Sequence, residues 1–181
     1  TIAYKAYNTS EVSEIKLFPY VISTLKELKE KGYNLFLLTV GVHERQEKKI
    51  NILGLKPYFD EIVISDQEIG LPLEDCMRDL IERHTINFRE AVMVGDRVRE
   101  ELGIAKSLGM TTIQMLHGRF KNEPAVNDCD KPDYKIKRIF QITTILQLQH
   151  MGKTPDRLKI LAIGGGTGLP IMLEGSKTYS K

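Results

Sequence analysis

At 181 residues, 41% hydrophobic and 28% charged, the chain suits one globular domain with a buried core and a small appendage. A net charge of +2 is too slight to hold nucleic acid or an anionic membrane surface, and no apolar run reaches bilayer-spanning length or reads as a signal peptide. Cys76 and Cys129 lie far apart without metal-ligand spacing, as expected of two inert thiols in a reducing, cytoplasmic setting.

Helix-like and strand-like segments alternate along the chain. Pro19 suits the first turn of a helix that runs through residues 25–28 and stops near Gly32. Residues 33–39 are apolar almost throughout, the pattern of a strand covered on both faces. A charged amphipathic helix over 44–53 closes at Gly54. A short strand follows over 59–64, then a helix over 73–84 and a strand over 91–94. Another helix covers 98–108 and ends at Gly109, with a further strand over 110–115. Residues 117–133, with Gly118, Pro124, Asn127, Asp128 and Pro132, read as a loop, and 136–149 as a short strand and a helix. This repetition predicts an α/β fold, a doubly wound three-layer α/β/α arrangement around a parallel sheet.

Two strand ends carry chemistry. The strand at Leu35 finishes in Thr39-Val40-Gly41, and Ala91-Val92-Met93-Val94 runs into Gly95-Asp96. Ligands of open parallel sheets sit outside the carboxyl ends of the strands. A hydroxyl and a carboxylate there suit a phosphate and a divalent cation. Each residue also has a plainer role open to it. Thr39 would satisfy a backbone group, and Asp96 would cap a helix. Glu100 and Glu101 suit the dipole of a first helical turn. His43, His84, His117 and His150 are scattered without ligand spacing, and the Lys/Glu-rich stretch over 26–31 is a solvated helix face.

Four stretches stand in order: Phe18-Pro19-Tyr20-Val21, Leu38-Thr39-Val40-Gly41, Gly54-Leu55-Lys56-Pro57-Tyr58-Phe59-Asp60 and Met93-Val94-Gly95-Asp96-Arg97. Together they resemble the haloacid dehalogenase-like phosphohydrolase superfamily, over about residues 4–148. The resemblance implies a Rossmannoid core over 18–149, incomplete at its N-terminus, with residues 1–17 as the end of a helical cap and its return linker. It implies phosphoryl binding at Thr39 and Gly41, magnesium at Asp96 and Glu101, and a phosphorylated small molecule as substrate. Three features depart from that pattern. No Asp-x-Asp nucleophile motif precedes the core, Leu71 stands where a phosphate-clamping lysine is expected, and Val40 replaces a polar residue. An uncharged side chain cannot offset the charge of a nucleophile brought against a phosphate. The chain is therefore expected to be inactive alone, or a non-catalytic relative that binds a ligand or partner domain.

The tail differs. An apolar strand over 157–163 leads into Gly164-Gly165-Gly166-Thr167-Gly168-Leu169. Glycines let a backbone approach an anion closely, and helix amides would point at it. The stretch resembles the opening of the gluconeogenesis factor family, related to 2-phospho-lactate transferases. That implies a nucleotide or nucleotide sugar at Gly164, Gly165, Gly166, Thr167 and Gly168. Residues 150–156 are the expected linker, and 157–181 the strand, loop and helix opening a truncated nucleotide-binding unit. The first residue, Thr1, fits a fragment of a longer protein. In the resembled fold a nucleophile-bearing strand separates the strands ending at Thr39 and Val94. An empty slot there would strand backbone groups at about 1–3 kcal/mol each. Either the neighbours close up or the spare apolar strand at 158–163 fills it.

Overall fold

The computed structural model describes residues 15–150, 160–165 and 173–174. Its elements are β1 (Lys16–Leu17), α1 (Val21–Glu30), β2 (Asn34–Val40), α2 (His43–Ile52), β3 (Glu61–Ser65) and α3 (Leu73–Arg83). There follow β4 (Ala91–Gly95), α4 (Glu101–Ser107), β5 (Thr111–Met115), β6 (Tyr134–Ile136), α5 (Gln141–His150), β7 (Ile160–Gly165) and β8 (Leu173–Glu174). Six strands form one parallel sheet in the order β3-β2-β7-β4-β5-β6.

The strand composition explains the layers. Leu35, Phe36, Leu37 and Leu38 of β2 are all fully buried, and side chains alternate between faces along a strand. Leu35 and Leu37 pack with Leu25 and Leu28 of α1, Ile50 of α2 and Ile142 of α5. Phe36 and Leu38 pack with Met77 and Leu80 of α3 and Leu102 of α4. The doubly wound three-layer fold is therefore as expected.

The central slot is filled. β7 pairs in parallel with β2 on one side and β4 on the other, so the tail strand supplies the ladder that each neighbour would otherwise lack. The strand extends further than its apolar residues suggest. Gly164 and Gly165, expected to open a phosphate loop, belong to the strand and pair with Leu38 and Thr39. Gly166, Thr167 and Gly168 lie outside the described residues, as do residues 1–14 of the expected cap. Leu173 and Glu174, within the stretch expected to end in a helix, instead pair antiparallel with Leu17 and Lys16.

Two helix starts also differ from expectation. Tyr20 takes a left-handed conformation at φ 69°, which breaks the chain after Pro19 and starts α1 at Val21. Its ring stands edge-on to Phe140, 5.5 Å away. After β4, Glu100 at φ −120°, ψ −105° is not helical, so α4 begins at Glu101 rather than near Val98. Both cysteines are free thiols, Cys76 buried and Cys129 exposed. Among the described residues, no helix is long and apolar enough to cross a membrane.

Candidate functional site at the carboxyl edge of the sheet

Strand register brings the two expected residues level. Thr39 pairs with Gly165 of β7, while Val94 pairs with Ile163, two residues earlier on the same strand. Two residues beyond Val94 is Asp96. Thr39 and Asp96 therefore stand at one height on either side of β7, about 10 Å apart by strand spacing. Both are buried. Between them β7 offers only the backbone of Gly164 and Gly165.

Gly95 and Glu101 explain the turn at Asp96. A Cβ on Gly95 would meet Glu101 Cγ at 2.6 Å and Oε1 at 2.7 Å, so only glycine admits the Glu101 side chain. Glu101 Oε1 accepts the Asp96 amide at 3.1 Å and the Arg97 amide at 3.0 Å. That bonding fixes the loop and leaves Oε2 buried without a hydrogen-bond partner among the described residues. Burial pushes the Glu101 carboxyl up to about 7, opposed by the Arg97 amide and helped by the neighbouring Asp96 charge. Two adjacent buried carboxylates, one with a bare oxygen, are a hard-oxygen donor pair suited to magnesium. Among the described residues no group of three or more His, Cys, Asp or Glu side chains forms a metal cluster. Arg97 forms an ion pair with Glu100 and lies over the Phe120 ring, 4.7 Å from its centre.

On the β3 side the backbone donors are already engaged. Gly41, at φ +140°, donates its amide to the Ser65 carbonyl at 2.9 Å, so its contribution is a turn that no side chain would accept. Gln46 folds across it and donates from Nε2 to the Val40 carbonyl at 2.7 Å. Asp66 follows β3 as Asp96 follows β4, but its carboxylate accepts the His43 and Glu68 amides and caps α2. Leu71 has its amide on the Asp66 carbonyl and its own carbonyl on Ser65 Oγ. Its side chain is 44% exposed, so the position expected to hold a clamping cation presents an uncharged group at this edge.

Two residues that the sequence did not single out bear on this edge, Asp66 at the end of β3 and Lys49 on the buried face of α2. Asp66 carries the same strand-end signal as Asp96 and was legible by it. Lys49 was not, because in a charged amphipathic helix over 44–53 a lysine is expected on the polar face, whereas Lys49 is only 5% exposed. His84 bonds Glu61 at 2.7 Å, and His117 stands edge-on against Phe18.

Residues 1–115 match the haloacid dehalogenase-like hydrolase family. A glyceraldehyde 3-phosphate phosphatase of Methanocaldococcus jannaschii is 32% identical over 142 residues, covering 78% of this chain and 61% of the relative. The chain spans about three fifths of the length of such curated relatives. A crystal structure of a HAD phosphatase from Thermococcus onnurineus superposes with a TM-score of 0.59 at 31% identity, over 71% of this chain and 57% of that one. A HAD-hydrolase from Bacillus subtilis, described as bound to magnesium, gives a TM-score of 0.61 at 20% identity, over 71% of this chain and 55% of that one.

Proposed function

Because the chain belongs to the haloacid dehalogenase-like hydrolase family, we propose that its carboxyl edge is the phosphoryl-binding half of a phosphatase site. The observation that carries this reading is the register that levels Thr39 with Asp96 across β7. The ligand is a small phosphorylated molecule, of the class that the glyceraldehyde 3-phosphate phosphatases are named for. The Thr39 hydroxyl donates to a phosphoryl oxygen. Asp96 and the bare Oε2 of Glu101 hold magnesium, which phosphatases of this family generally require. Magnesium, when bound, supplies positive charge beside the phosphoryl oxygens. Glu101 Oε1 meanwhile keeps the Asp96 loop in place through two amides.

In this chain the phosphoryl group is bound and not cleaved. A phosphoryl transfer of this kind needs a carboxylate nucleophile, and the strand between Thr39 and Asp96 presents Gly164 and Gly165. Those glycines and the uncharged Leu71 favour a second reading, a non-catalytic domain that holds a phosphorylated ligand or a partner. A nucleotide or nucleotide sugar drawn to Gly164–Gly168 belongs to that second reading. Assay with p-nitrophenyl phosphate and magnesium separates cleavage from binding. No turnover is expected, and turnover abolished by Asp96→Asn would overturn this account.

A further inference from the structure

The buried face of α2 holds a cation, Lys49, only 5% exposed. Among the described residues it has no ion-pair partner. The acids of its own helix, Glu44 and Glu47, face solvent, and Glu47 is already paired with Lys56 at 3.2 Å. The charge Lys49 feels is Arg45, four residues earlier and of the same sign. Burial first, and then Arg45, lowers Lys49 to about 8.

Helix geometry says where that cation is directed. α2 starts at the carboxyl edge, just after β2, and runs back along the sheet. Side chains in a helix tilt toward its N-terminus, and long ones lie over the preceding turn. The preceding turn here holds Gln46, whose amide reaches the Val40 carbonyl at the end of β2. The Oε1 of Gln46 is itself buried without a hydrogen-bond partner among the described residues. Lys49 sits about 9 Å along the helix from His43, and its tilted four-carbon stem covers part of that distance, so helix geometry directs its ammonium back toward the edge where Thr39 ends.

We infer that Lys49 supplies the positive charge of the phosphoryl-binding site, in place of the cation that Leu71 does not provide. A buried lysine beside an arginine is costly without a counter-charge, and a phosphoryl dianion is such a counter-charge. The inference rests on the phosphate-site reading above and extends it to a helix outside the motif residues.

Inorganic phosphate, titrated into the 181-residue chain and four variants and followed by calorimetry, tests it. Lys49→Met is expected to weaken phosphate binding at least tenfold. Lys49→Arg, which keeps the charge, should bind within a fewfold of the original chain. Lys48→Met, on the exposed face, should leave binding unchanged. Thr39→Val reports on the site itself. If Thr39→Val loses phosphate while Lys49→Met keeps it, the site stands and the role of Lys49 falls. If Lys49→Met loses phosphate while Thr39→Val keeps it, the Lys49 anion site stands and the Thr39 assignment falls. A chain that binds no phosphate at all overturns both. Should Lys49→Met fold poorly, loss of binding in Lys49→Arg as well would also overturn the role of its charge.

Discussion

Replacing Lys49 with Met should make the unliganded protein more stable near neutral pH. The side chains have similar volume, so the core around Ile50 is preserved while the buried ammonium is removed. Burial and Arg45 bring Lys49 from an ordinary 10.5 to about 8 in the folded chain. Each pH unit corresponds to about 1.4 kcal/mol, so the charged lysine costs the folded state roughly 3 kcal/mol wherever both states are protonated. The sign follows from a lowered folded value. Below about 8 the cost is complete; as pH rises from there toward 10.5 the folded chain sheds its proton first and the cost fades. Urea unfolding followed by circular dichroism measures this. The Met variant should gain roughly 2–3 kcal/mol near pH 7 and lose that advantage near pH 10.5. Saturating phosphate should narrow the gap near pH 7, because only the original chain gains a counter-charge. A variant that is less stable near pH 7, or a difference that does not change with pH, would refute the reasoning.

Two further predictions concern the Asp96 turn. Gly95→Ala places a Cβ 2.6 Å from Glu101 Cγ. It should cost roughly 2–3 kcal/mol by displacing the carboxylate from one buried and one part-buried amide, with faster hydrogen exchange at Asp96 and Arg97 as the readout. Glu101 has a folded value raised to about 7, so its stabilising share is present below about 4.5 and is lost as pH rises through 7. Glu101→Gln should flatten that decline in urea titrations, and magnesium should reduce it in the original chain but not in the variant.

The fold was legible because its signals are local and periodic. The run Leu35-Phe36-Leu37-Leu38 declares a strand buried on both faces, and it is fully buried. The placement of Thr39 and Asp96 on one edge was legible from strand ends, since parallel topology sends every carboxyl end to one edge. The β7 placement was one of two outcomes left open by the resemblance, which implied a slot between the strands ending at Thr39 and Val94 that either closes up or takes the spare apolar strand. What stayed hidden depends on tertiary contact. The resemblance implies phosphoryl binding at Gly41, but no local pattern announces that its amide bonds the Ser65 carbonyl, a partner 24 positions away in sequence. The start of α4 shifted because Glu101 turns back onto the Gly95 backbone, a contact no propensity reveals. The burial of Lys49 was hidden among six charged or polar neighbours on a short helix.

The proposed phosphoryl site joins Thr39 and Asp96 across the β7 glycines. Backbone amide spectra of the labelled chain, recorded while inorganic phosphate and magnesium are added, test it most directly. The shifts should concentrate at Thr39, Gly95, Asp96, Gly164 and Gly165, the residues that register places on one edge. Shifts confined to the opposite edge, around Asn34 and Asp60, or no shifts at all, would contradict it.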